Sequence, residues 1–219
     1  MTDDPERTLQ ISYAPAHARA AIGALFALDD ALATLLRTTT EPAIAQIRLA
    51  WWRERLAALD GEAPPPMPVL EAVARDIQPL GVGGGELVVL VEGWEVLIEA
   101  ERLDHDALHA YAAGRGGRLF RIAARLVGQE VEEGHVLSGE GWALSDLSRH
   151  LTLAREVGLA RRLAGDALAH FPPWPRPVRM LGAMAAIARM DLALSADAPL
   201  PLGAPARVGR MAWMRMTGR

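Results

Sequence analysis

Apolar side chains along this chain return every three or four positions and rarely every two, which is the period of α-helices rather than of strands. The first such segment runs from about Ala16 to Leu36, with Ile22, Leu25, Phe26, Leu32 and Leu36 on one stripe. Thr38, Thr39 and Thr40 close it, and Thr40 stands where it would cap the next helix. That second helix reads EPAIAQIRLAWWRERLAAL. Glu41 and Pro42 suit its first turn, and Ile44, Ile47, Trp51 and Leu56 form its expected buried face.

A Pro-rich break at Pro64–Pro68 and a Gly-rich break at Gly81–Gly85 bracket a short helix around Val69–Ile77. Helical patterns resume over about Glu86–Leu103, Asp106–Val127 and, as one long stretch, Gly141–His170. FPPWPRP stops that stretch, because proline removes a backbone donor and clashes with the preceding turn. A helix over about Val178–Leu194, a Pro-rich loop and a Met-rich tail helix ending at Arg219 complete an all-α reading. With neither an internal repeat nor a second-domain linker, residues 1–219 read as a single helical domain.

The 219 residues suffice for a sizeable core, and 51% hydrophobic with 23% charged side chains is ordinary globular usage. A net charge of −4 gives no general attraction to nucleic acid or to an anionic surface. The absence of cysteine excludes disulfides and thiolate metal sites, and with no secretory signal or spanning segment in view a cytoplasmic location is expected. Every basic side chain is arginine and no lysine occurs, so the choice of arginine at any one position carries no information.

Four motifs bear on chemistry. HDALH sets His105 and His109 one turn apart, a zinc-like spacing, but no third ligand follows, and Asp104 or Asp106 is more simply a helix cap. Gly83–Gly85 precede a helix without the Lys, Ser or Thr of a phosphate loop and read as a turn. GRGGR, Gly114–Arg118, places glycines inside a helical pattern at a cost of roughly 1 kcal/mol each. Either neighbouring backbones pack closely there, or a ligand uses the room between Arg115 and Arg118. Finally, Asp29 lies on the apolar stripe of the first helix and needs a partner, a metal or a cavity. Arg161 continues the stripe of Leu147, Leu151, Ala154 and Gly158, which suggests a buried Asp29–Arg161 pair.

YAPAHARAAIGALFALDDALA followed by TEPAIAQIRLAWWRERLAAL resembles the start of the squalene/phytoene synthase family, above all its bacterial members and the related branch of mitochondrial complex I assembly factors. The run Thr40–Arg53 carries the likeness to that branch. Leu108–Gly128 resembles the family's Tyr-containing helix, and Gly158–Pro175 its helix before a proline loop, so the likeness spans most of residues 10–178, with a C-terminus that looks shortened.

The resemblance implies the isoprenoid synthase helical bundle around a deep apolar cavity. In active members two acid-rich boxes on facing helices hold Mg²⁺, which binds prenyl diphosphate and stabilises the departing diphosphate. Here the first box falls on Ala33–Arg37 without a carboxylate, and the second on Arg161–Gly165, with Asp166 turned roughly 80° from the Gly158 stripe. The resemblance then implies a non-catalytic helper in respiratory-complex assembly, with a respiratory-complex subunit as partner, or a binder of an isoprenoid or lipid tail. Phe26, Asp29, Arg48, Trp51, Tyr111, Arg118 and Arg161 would line the cavity, and peripheral membrane contact is compatible. The alternative is an active prenyltransferase of squalene or phytoene type with Asp29, Asp30 and Asp166 as Mg²⁺ ligands and Arg48, Arg118 and Arg161 near the diphosphate. The tail helix, with Met211, Trp213, Met214 and Met216, either packs on the bundle or offers an interaction surface.

Overall fold

The structure is a computed structural model that describes residues 5–219, all of whose regular elements are helical. Helix α1 (Pro5–Ser12) precedes α2 (Arg19–Thr38), whose stripe from Ala21 to Leu35 is buried with Asp29 in its middle. The apolar period does not reveal α1, because its inward residues are Glu6 and Gln10.

Helix α3 (Pro42–Ala58) starts with extended Glu41 and with proline in the first turn, and no side chain caps it, so Thr40 does not serve as the cap. Its buried face is Ala45, Leu49, Trp52 and Leu56, packed against α5 (Gly84–Glu99). The expected face is therefore corrected: Ile44, Ile47 and Trp51 are 40%, 69% and 38% exposed, and only Leu56 holds its place. Both sides of this helix are apolar, so the period alone does not choose between them.

The short helix α4 (Pro68–Ala72) opens into a wider turn over Val73–Ile77 that packs on α2. Helix α5 begins at the glycine run for a steric reason. A Cβ on Gly84 would lie 2.0 Å from the Leu56 carbonyl oxygen, so only glycine lets α5 start against α3. The free N–H groups of Gly84 and Gly85 donate to the Asp60 carboxylate at 2.6 and 2.8 Å, which satisfies the helix start from within the chain.

Asp104 caps α6 (His105–Ala112) by accepting the Ala107 N–H at 3.0 Å. A π-helical turn at Ala113–Gly117 joins α6 to α7 (Arg118–Leu126). The single long helix expected over Gly141–His170 is instead a hairpin of α8 (Glu133–Leu147) and α9 (Ala154–Ala169). At its bend the Ser148 hydroxyl donates to the Ser145 carbonyl and the His150 N–H returns to Leu147. Gly141 lets the two arms touch, since a Cβ there would stand 2.6 Å from the Leu168 side chain.

Helix α10 (Arg179–Leu192), buried continuously from Met180 to Ala188, packs on α8 and on α11 (Pro205–Thr217). Before it the FPPWPRP segment tucks Trp174 inside, and Arg179 donates to the carbonyls of Trp174, Arg215 and Met216, satisfying the end of α11.

Candidate functional site

Two of the three glycines of GRGG, Gly114 and Gly116, are explained by backbone crossings, while Gly117 faces the Val136 and Glu140 side chains. A Cβ on Gly93 of α5 would lie 2.5 Å from the Gly114 carbonyl carbon, and one on Gly116 would lie 2.1 Å from the Gly139 oxygen of α8. The π-helical turn is thus held between α5 and α8, and it turns Arg115 into the core at 3% exposure.

Arg115 meets Asp29, which is fully buried on α2. Its Nε donates to Oδ1 at 3.0 Å and its Nη2 to Oδ2 at 2.8 Å, a bidentate pair. Nη1 donates to the Tyr111 hydroxyl at 2.7 Å and to Oδ2 of Asp146 on α8 at 2.6 Å. The Trp94 indole N–H donates to Asp29 Oδ1 at 3.1 Å, and the guanidinium lies 4.3 Å from the Trp94 ring and 4.6 Å from the Trp142 ring. One internal cation is therefore shared by carboxylates from two helices.

Burial opposes the charged forms of Arg115, Asp146 and Tyr111. For Arg115 burial is the largest single effect, but Asp29, Tyr111 and Asp146 together outweigh it, and its guanidinium is held well above its ordinary range. Asp146 is buried against its charged form too, yet Arg115 and His150 keep its carboxyl below the usual range. Burial pushes the Tyr111 phenol up, so it stays neutral and accepts from Arg115.

The expected Asp29–Arg161 pair is not formed. Helical angle says which side of α9 Arg161 lies on, not which helix faces it, and Arg161 instead donates to the carbonyls of Leu192, the last residue of α10, and of Leu194 just after it. Phe26 and Tyr111 are buried, with the Arg7 guanidinium 4.5 Å from the Phe26 ring. Arg48, Trp51 and Arg118 are exposed, with Arg48 bound to the Thr39 hydroxyl at 2.9 Å. Asp30 is exposed 3.9 Å from Arg7, and Asp166 is exposed on α9.

Periodicity missed Asp146, Trp94 and Trp142, and GRGG gave the one signal for Arg115. It also missed a second buried network. Arg207 of α11 donates to both Glu6 oxygens at 2.7 and 2.8 Å and pairs with Asp191 of α10, while the Gly203 N–H reaches Glu6 at 2.9 Å. A polar pocket of about 120 Å³ separates the two networks, with Arg7, Trp142, Asp146, Asp191 and Arg207 among its walls.

A Mg²⁺ cluster needs several free carboxylate oxygens converging on one point. Asp29 and Asp146 do converge from facing helices, but on a guanidinium; Asp30 and Asp166 lie at the surface. His105 and His109 are exposed with ring centres 6.4 Å apart. Among the described residues no set of three or more His, Asp or Glu side chains is arranged to hold a metal ion. As arranged, these donors do not fit the metal.

No curated protein and no solved structure matches the chain. The family model for squalene/phytoene synthase matches residues 2–167. That span takes in α1–α8 and most of α9, and with it Asp29, Arg115 and Asp146. A match of that extent on an all-helical bundle means that the chain belongs to the squalene/phytoene synthase family and has its isoprenoid synthase-type fold.

Proposed function

We propose that this chain is a non-catalytic member of its family, a helper in the assembly of a respiratory complex, as in the complex I assembly-factor branch. The observation that carries the reading is Arg115, whose guanidinium is committed to the carboxylates of Asp29 and Asp146. A permanent cation tied into the core is a poor substitute for dissociable Mg²⁺. It adds no charge to a departing diphosphate, and its N–H groups are already engaged. Removing one preorganised electrostatic group typically costs about 10² to 10³ in rate, and the whole metal cluster is at issue here.

The space beside Arg115 supports the same reading. A pocket for a ligand of drug size occupies roughly 300 to 1,000 Å³. The polar pocket next to Asp146 holds about 120 Å³, which is too small for an isoprenoid tail at that place. The exposed side of α3, with Ile44, Ile47 and Trp51, lies within the run that resembles the assembly-factor branch and gives such a partner an apolar surface.

The test is incubation with Mg²⁺ and farnesyl or geranylgeranyl diphosphate, measuring released diphosphate. The expected result is release no faster than without protein. Turnover that disappears in Asp29→Asn would establish the active prenyltransferase instead. For the helper role, deleting the gene in its host should lower NADH:quinone oxidoreductase activity in membranes, and Ile47→Glu should fail to restore it.

A further inference from the structure

Helix α11 has an unusual cross-section. Its inward side is Arg207, Met211 and Met214, yet its outward side is also apolar. At 100° per residue, Val208, Gly209, Ala212, Trp213 and Met216 form the outer crest, with Arg210 and Arg215 on its two shoulders. Val208, Trp213 and Met216 are 38%, 54% and 67% exposed. A soluble surface helix normally turns its charges outward along that crest.

The charge around it is one-sided. Residues 171–219 hold seven arginines and two aspartates, whereas residues 1–170 hold 16 basic and 25 acidic side chains. Of the two aspartates, Asp191 is taken by Arg207 and Asp197 by the Ser195 hydroxyl. Among the described residues, Arg176, Arg189, Arg215 and Arg219 are exposed and form no ion pair with a carboxylate, whereas Arg179 and Arg210 are half-buried and donate to backbone oxygens. A shallow groove of about 550 Å³ runs between the FPPWPRP segment and α11, walled by Trp174, Arg179, Trp213 and Arg219.

We propose that this face docks on an anionic phospholipid bilayer, with Trp213 and Met216 entering the headgroup region and the exposed Arg176, Arg189, Arg215 and Arg219 meeting lipid phosphates. Apolar side chains on a ridge flanked by guanidinium groups are the arrangement of a helix lying in a membrane interface. The local positive field supplies the attraction that the chain as a whole, at −4, lacks. A ridge favours a fluid surface over an acidic peptide, which would present its carboxylates to the arginines and leave Trp213 and Met216 in water. The inference stands apart from the non-catalytic reading, since it concerns neither Asp29 nor Arg115.

Flotation of the full chain with vesicles tests it, using phosphatidylcholine alone and phosphatidylcholine mixed with phosphatidylglycerol. Binding is expected only to the mixed vesicles and should weaken as salt rises. Arg215→Gln should lower the partition coefficient by about fivefold. Met216→Glu and Trp213→Glu should each lower it by about tenfold or more. All three positions are exposed, so the thermal midpoint should stay at the wild-type value and separate lost docking from lost folding. Absence of flotation, flotation indifferent to these substitutions, or capture by polyglutamate but not by vesicles overturns the proposal.

Discussion

Asp29 shows what a single residue can disclose before any fold is known. A carboxylate on an apolar helical stripe has to be compensated, and it is, by Arg115. Its partner was not legible, because the stripe of α9 suggests an inward Arg161 while the order of helices around α2 decides which cation arrives. Breaking a buried ion pair strands the surviving charge. Asp29→Ala should therefore lower unfolding free energy by about 3 to 5 kcal/mol, measured by urea titration. Combining it with Arg115→Met should cost clearly less than the two single changes added together, since the Asp29–Arg115 pair then leaves as a unit and only the half-exposed Asp146 loses a partner. An additive double variant would mean that the pair is not coupled.

For the helices, the period of apolar residues located most segments and the glycines told more than the period did. GRGG was readable as either close packing or ligand room, and the crossings with Gly93 and Gly139 decide for packing. Gly116→Ala should cost about 1 to 3 kcal/mol, because its methyl group would meet the α8 backbone. Gly165→Ala on α9 meets nothing within 4 Å and should add about 0.5 to 1 kcal/mol, read as a higher thermal midpoint. What escaped the period is equally physical. α1 turns polar residues inward, α3 is apolar on two sides, and the α8–α9 bend is closed by the Ser148 hydroxyl and backbone hydrogen bonds rather than by proline or glycine.

Across the whole molecule, two buried ion networks make stability a function of pH. Burial raises and Arg207 and the Gly203 N–H lower the Glu6 carboxyl, with the lowering effects ahead, and Asp146 is likewise held below its ordinary value. Groups depressed in the folded state contribute stability above their unfolded pKa, about 4 for carboxylates, and lose it as pH falls through the folded value. Asp191 acts in the opposite sense, because burial raises it despite Arg207. The thermal midpoint should hold steady from neutrality to about pH 5 and fall below about pH 4. Asp146→Asn should flatten that acid limb while lowering the midpoint at pH 7. An unchanged limb would show that Asp146 is not among the groups responsible.

The Glu6–Arg207 bond joins positions 201 residues apart. On the ribosome, where chains grow at about 5 to 20 residues per second, Glu6 must wait roughly 10 to 40 seconds before its counter-ion is made. Until then α1 has no anchor on α11, and the bundle remains open along that seam for whatever chaperone attends the nascent chain.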